Sequence, residues 1–145
     1  MLKVLIAEDE LMIADLLEET LTESGYEVCG MARTVDDAVA LAQAHKPDLA
    51  VLDVRLAGGD RGPEIARRLS GMTMLGILYA SGDDARRSLL TLADGCAAIA
   101  KPYVFEDVAR ALVIVREIMT LGTATPPFPR GFRLLPAAAL IAHAP

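Results

Sequence analysis

The sequence predicts a three-layer α/β sandwich, in which a parallel sheet of five strands is covered on both faces by five helices. Three observations predict it. Short apolar runs alternate with amphipathic helical patterns roughly every 25 residues along the chain. The runs are continuous and do not alternate with polar residues, as expected of strands buried on both faces. The chain has 145 residues, 53% of them hydrophobic, with a mean hydropathy of +0.38, which suits one domain with an ample core.

Each element can be justified in order. Lys3 to Ala7 (KVLIA) is too short for a helix and suits a buried first strand. Leu11 to Ser24 places Leu11, Ile13, Leu16, Leu17 and Leu21 against acids at Asp15, Glu18, Glu19 and Glu23, an amphipathic helix that Gly25 can terminate. Tyr26 to Met31 is the second strand. Thr34 followed by Asp37 resembles a capping box opening a helix that ends before Pro47. Leu49 to Leu52 is the third strand and stops at Asp53. A loop with Gly58, Gly59 and Gly62 leads into a helix from about Pro63, a residue well placed in a first turn.

Met74 to Ala80 is the fourth strand, with Ser81-Gly82 as its exit. Asp83 to Ala93 follows as a helix with a thin apolar stripe. Ala97 to Ala100 is a small-residue fifth strand ending at Lys101-Pro102, and Glu106 to Leu121 is the last helix. Five strands favour the flavodoxin-like order 2-1-3-4-5, which sets strands 1 and 3 side by side at the switch point.

Composition narrows the function classes. The net charge of −6 argues against a nucleic-acid-binding surface. Residues 1–121 carry 12 basic and 20 acidic side chains, a net of −8, so the expected domain is acidic. Residues 122–145 hold five of the eight prolines and no acid, and form a Pro-rich, partly apolar extension too small for a DNA-binding effector domain. Thr123 to Pro129 reads as an extended linker. Leu134 to Ala142 is an apolar stretch for which two readings stand: a loosely packed extension, or a segment that docks on its own domain, a dimer mate or a partner.

No apolar stretch approaches the roughly 20 residues of a membrane span, and the N-terminal run meets acids too soon for a signal peptide, so a cytoplasmic location is expected. Cys29 and Cys96 lie among apolar neighbours and read as reduced, buried thiols. His45 suits the negative end of its helix, and His143 has no acid or cysteine beside it.

Four polar sites interrupt the pattern where apolar runs stop: Glu8-Asp9-Glu10, Asp53, Ser81 and Lys101. In a parallel sheet these ends share one edge, where open α/β proteins bind ligands. Clustered carboxylates call for a cation, and a hard ion such as Mg²⁺ fits them. Asp9 and Asp53 could ligate directly, Glu8 through a water, and the backbone carbonyl of Arg55 could add a ligand. With its charge screened, Asp53 could attack phosphorus as a nucleophile, with Lys101 and the Ser81 hydroxyl on the phosphoryl oxygens. Taken singly, the acids could merely cap the first helix and Ser81-Gly82 merely turn the chain. Their joint occurrence at successive strand ends is what points to chemistry.

With Glu8-Asp9, Asp53, Ser81 and Lys101-Pro102 in this order, residues 1–121 resemble the receiver domain of two-component response regulators. The resemblance implies that a sensor histidine kinase or phosphotransfer protein donates a phosphoryl group to Asp53 in a Mg²⁺-dependent reaction. It also implies that the domain catalyses only its own phosphorylation and dephosphorylation, and signals by binding a downstream protein, with room for a homodimer. Three features depart from the common pattern. Ala98 stands where many receivers have a switch aromatic, three positions before the lysine. Leu78-Tyr79-Ala80-Ser81-Gly82 is similar to the FATG-type motif of a branch that often pairs with HWE-type kinases and also lacks that ring. Ala57 stands where a proline is common.

The absent ring suggests that the segment from Ser81 to Asp84 and the helix after it would report phosphorylation instead. Two other function classes remain. A phosphorylation-independent scaffold would keep the fold without the switch. A small aspartyl-nucleophile phosphatase would need a general acid two residues after the nucleophile, where this chain has Arg55.

Overall fold

The computed structural model describes residues 1–72, 74–82 and 89–136. Lys3–Ala7 (β1), Glu27–Ala32 (β2), Leu49–Asp53 (β3), Gly76–Ser81 (β4), Ala97–Ala100 (β5) and Phe132–Leu134 (β6) form one sheet in the order β2-β1-β3-β4-β5-β6. The first five strands are parallel and keep the expected order, so the fold is the flavodoxin-like sandwich. Among the described residues there are four α-helices: Leu11–Glu23 (α1), Val35–His45 (α2), Gly62–Arg68 (α3) and Phe105–Leu121 (α4). Helices α1 and α4 pack together on one side of the sheet, and α2 and α3 on the other.

Local chemistry explains the boundaries. The α1 stripe buries Ala14, Leu17 and Leu21, and the chain leaves the helix through Gly25 at φ 95°, a conformation that suits a residue without a side chain. Thr34 caps α2 as its spacing predicts, its hydroxyl oxygen accepting the Asp37 N–H at 3.2 Å. Every residue of β3 is buried, in keeping with its unbroken apolar run. Gly76 opens β4 where a Cβ would meet Val115 of α4 at 2.8 Å and Leu49 at 2.9 Å, so its lack of a side chain lets helix and sheet approach.

Two expectations are corrected. The sheet has six strands rather than five, because Phe132–Leu134 adds an antiparallel strand to β5. The four-residue β5 would otherwise be an edge strand with its outer backbone groups unpaired, and the tail pairs them. The helix expected over Asp83 to Ala93 lies, for 83–88, outside the described residues. Leu89 to Ala93 form turns, not a helix. There the Thr91 N–H donates to the Asp94 carboxylate at 2.8 Å and the Asp94 N–H donates to the Thr91 carbonyl at 2.8 Å, which closes a turn in place of helical bonds. The predicted linker 123–129 leads into β6, so the extension docks on its own domain as far as Pro136.

The register brings the strand ends level. Ala7 lies opposite both Ala32 and Leu52, Asp53 opposite Ala80, and Ser81 opposite Ala100. The residues that follow these positions therefore meet at one edge.

Candidate functional site

Each side chain at that edge is placed by the apolar strand before it. Glu8 follows β1 and stays buried; its backbone N–H donates to the Ala32 carbonyl at 2.9 Å, extending the ladder to β2. Asp53 closes β3 and Ser81 closes β4, both buried. Lys101 follows β5, its amide donating to the Ser81 carbonyl at 2.9 Å. A cleft of about 390 Å³ opens over them, lined by Asp9, Asp53, Arg55, Ser81 and Lys101 among others.

One contact organises the cluster. The Lys101 ammonium donates to Glu8 Oε1 at 2.7 Å and to Asp53 Oδ2 at 2.8 Å. The second oxygens are also held: Glu8 Oε2 accepts the Glu10 N–H at 3.2 Å, and Asp53 Oδ1 accepts the Arg55 N–H at 3.3 Å. Glu10 occupies the N-cap of α1 with no side-chain cap bond, so this acid does not serve the helix by capping it. Gly62, at the start of α3, donates its N–H to the Val54 carbonyl at 3.0 Å. A Cβ at Gly62 would overlap the Asp53 carbonyl, so the glycine lets the loop close tightly behind the acid.

Burial and charge pull these groups in opposite directions. Burial, reinforced by the nearby Asp53 charge, raises the Glu8 carboxyl from 4.5 to about 7, against the opposing effect of the Lys101 bond. Burial works against the Lys101 charge, but its bonds to Asp53 and Glu8 prevail and hold it above the ordinary lysine value. One ammonium thus serves two acids in a site where a third, Asp9, stands alongside. Carboxylate oxygens of Glu8, Asp9 and Asp53 lie within 4.8 Å of one another, an all-oxygen donor set that fits a hard divalent cation such as Mg²⁺. Arg55 lines the same cleft, with its amide turned onto Asp53.

The structure brings together Glu8, Asp9, Asp53, Ser81 and Lys101, with Arg55 at the rim. Sequence reasoning missed the aromatic wall beyond Lys101. Tyr103 and Phe105 meet edge to face, ring centres 5.6 Å apart, and with Ile13 and Pro102 they line an apolar groove of about 420 Å³ beside the lysine. Burial raises the Tyr103 hydroxyl to about 12. The signal was the alternation Tyr103, Val104, Phe105 directly after Lys101-Pro102. Ala98 is fully buried, opposite Tyr79 on one side and Arg133 on the other. The Tyr79 ring is also buried, and its hydroxyl donates to the Asp94 carbonyl at 2.7 Å.

Comparisons with known proteins bear on the fold and the family. The chain is 36% identical over 126 residues to the transcriptional regulatory protein PdtaR of Mycobacterium tuberculosis, covering 82% of this chain and 60% of that protein. It thus spans about 60% of the length of that relative. Among solved structures it is similar to the signal receiver domain of a modulated diguanylate cyclase from Desulfovibrio desulfuricans (27% identity, TM-score 0.71, 84% of this chain and 98% of that one). It is also similar to the response regulator PhyR from Brucella abortus (28% identity, TM-score 0.65, 77% of this chain and 46% of that one). The family model for the response regulator receiver domain matches residues 4–112, and the chain belongs to that family.

Proposed function

We propose that the protein works as a single-domain response regulator in the cytoplasm, accepting a phosphoryl group on Asp53 and signalling through protein–protein contact. The observation that carries this reading is the Lys101 ammonium held on Asp53 Oδ2 at 2.8 Å and Glu8 Oε1 at 2.7 Å, with Asp9 beside them in an open cleft. A carboxylate oxygen of Asp53 forms the new O–P bond as the P–N bond of a donor phosphohistidine breaks, and the imidazole leaves with the electron pair. Lys101 then neutralises a phosphoryl oxygen, and Ser81, at the end of β4 in the same cleft, donates to another. Water attack on phosphorus later returns the carboxylate and releases phosphate, so the domain turns over only its own modification.

Mg²⁺, held by Asp9 and Asp53 directly, by Glu8 through water and by the Arg55 carbonyl, would supply charge neutralisation of the carboxylates and the phosphoryl oxygens. A protein rather than a small metabolite is the donor and the target. The apolar groove of Ile13, Pro102, Tyr103 and Phe105 beside Lys101 favours this. The stretch Leu78 to Gly82, together with Ala98, favours an HWE-type kinase as the donor.

A second reading, a phosphorylation-independent scaffold, is favoured by one observation. Ala98 is closed in between Tyr79 and Arg133 and offers no ring to move. Intact mass after incubation with acetyl phosphate and Mg²⁺ separates the two. The acceptor reading expects a hydroxylamine-labile gain of one phosphoryl group, absent in Asp53→Asn and in EDTA. Failure with both acetyl phosphate and a cognate kinase would leave the scaffold.

A further inference from the structure

The C-terminal segment makes contacts that phosphoryl chemistry does not need. After α4 the chain passes Gly122 in a left-handed turn, crosses mostly exposed residues 123–127, and lays β6 against β5. Ala97 lies opposite Leu134, Ala98 opposite Arg133 and Ile99 opposite Phe132. Three further bonds extend the contact. The Ala100 N–H donates to the Gly131 carbonyl at 3.0 Å, the Leu135 N–H to the Cys96 carbonyl at 3.0 Å, and the Leu92 N–H to the Pro136 carbonyl at 2.8 Å. The segment also straddles the sheet edge. Phe132 packs against the apolar cluster on the α1 and α4 side, whereas Leu135 is buried within the cluster on the α2 and α3 side. The edge is therefore a built groove for an extended strand with an aromatic residue on one face and an aliphatic one, three residues on, on the other.

We infer that β6 is a displaceable strap over a strand-binding edge, and that its docking is coupled through Lys101 to the state of Asp53. The coupling rests on the reading of Asp53 as phosphoryl acceptor; the groove and its occupant do not. The strap is short, with three paired residues and an exposed tether, which places it at the low end of local stability. Its first bond is to Ala100, the residue before Lys101. A phosphoryl group on Asp53 gives the Lys101 ammonium a new partner in place of its present bridge, and the residue that ends β5 must adjust.

The absence of a side chain at Gly131 lets the strap lie close against Ala100. A Cβ on Gly131 would lie 3.2 Å from the Ala100 Cβ and 3.4 Å from its amide nitrogen. Movement of Ala100 that lengthens its 3.0 Å bond to the Gly131 carbonyl therefore loosens the strap. Release opens the backbone edge of β5 and the seat of Leu135 to an extended segment of a partner protein. The resident stretch Phe132-Arg133-Leu134-Leu135 shows the chemistry that edge accepts: aromatic, cationic, then aliphatic.

Hydrogen exchange on the full chain tests this at the amides of Leu92, Ala100 and Leu135, with and without acetyl phosphate and Mg²⁺, with loading checked in parallel by intact mass. In a loaded chain, exchange at these amides is expected to accelerate roughly tenfold or more while the central strand β3 stays protected. A fluorescent peptide of residues 128–136 should bind the loaded chain and not the unloaded one. Leu135→Asp should admit the peptide without loading; should that variant fail to fold, the exchange measurement on the natural chain stands by itself. Unchanged or slower exchange in a chain shown to be loaded overturns the coupling and leaves the acceptor reading intact. A folded Leu135→Asp protein that ignores the peptide overturns the strand-binding edge. Absence of loading by acetyl phosphate and by a cognate kinase alike overturns the acceptor reading, and the coupling with it.

Discussion

The Nζ of Lys101 lies 2.8 Å from Oδ2 of Asp53, across 48 positions of sequence, and the same ammonium reaches Glu8 at 2.7 Å across 93. Two buried acids share one cation, so with both ionised the three groups carry a net negative charge.

Removing that cation should be costly. Lys101→Met is expected to destabilise the fold by about 3 kcal/mol, because Glu8 and Asp53 would face each other uncompensated. Part of the loss is bounded, since Glu8 can take up a proton. Urea denaturation at neutral pH checks the magnitude, and phosphoryl loading followed by mass should slow at least about tenfold.

The raised Glu8 carboxyl sets a pH dependence in metal-free buffer. Below about 4.5 it is neutral whether the chain is folded or not. Between 4.5 and about 7 the unfolded chain gives up the proton and the folded chain keeps it, so stability falls as pH rises through that window. The total fall is up to about 3 kcal/mol. Denaturation midpoints against pH should show it, and Glu8→Gln should flatten that part of the curve. A wild-type profile that is flat between those values would refute the assignment.

Gly62→Ala is expected to cost roughly 1–3 kcal/mol, because its new methyl would press on the Asp53 carbonyl. The same displacement should slow loading of Asp53, while Gly71→Ala, at a position with open space around it and no left-handed backbone, leaves loading unchanged. Equal loading rates for the two variants would speak against the close approach.

Tyr79→Phe should lower stability by about 1 kcal/mol. The hydroxyl donates to the Asp94 carbonyl at 2.7 Å, and its loss leaves that carbonyl without its donor while the ring still fills the core. Thermal unfolding of the two proteins compares them directly.

The site residues were legible because a buried strand ending in a charged residue shows up in one dimension as an apolar run cut short, as at Asp53 and Lys101. Thr34 was legible for a similar reason, since a cap and its partner sit three residues apart. The bridge from Lys101 to two acids was not, because it depends on strand register across most of the chain. Strand β6 escaped detection because Phe132 to Leu134 is too brief to establish a period, and its placement follows from the open edge of β5 rather than from its own propensity. The thin apolar stripe of Asp83 to Ala93 suggested a helix, but at its end the Thr91–Asp94 turn takes backbone bonds that a helix would need. The aromatic wall at Tyr103 and Phe105 was visible in the letters and became meaningful only once α1 brought Ile13 opposite it.

The register that levels the ends of β1, β3, β4 and β5 has a consequence for the timing of activity in the life of the chain. Its acids, hydroxyl and lysine come from four separate segments, so no fragment and no half-assembled intermediate holds them together. A copy in which any of those four strands has not joined the sheet therefore lacks the assembled cluster. On the acceptor reading proposed above, only molecules that have joined β1, β3, β4 and β5 can load, so quality control is built into the chemistry itself.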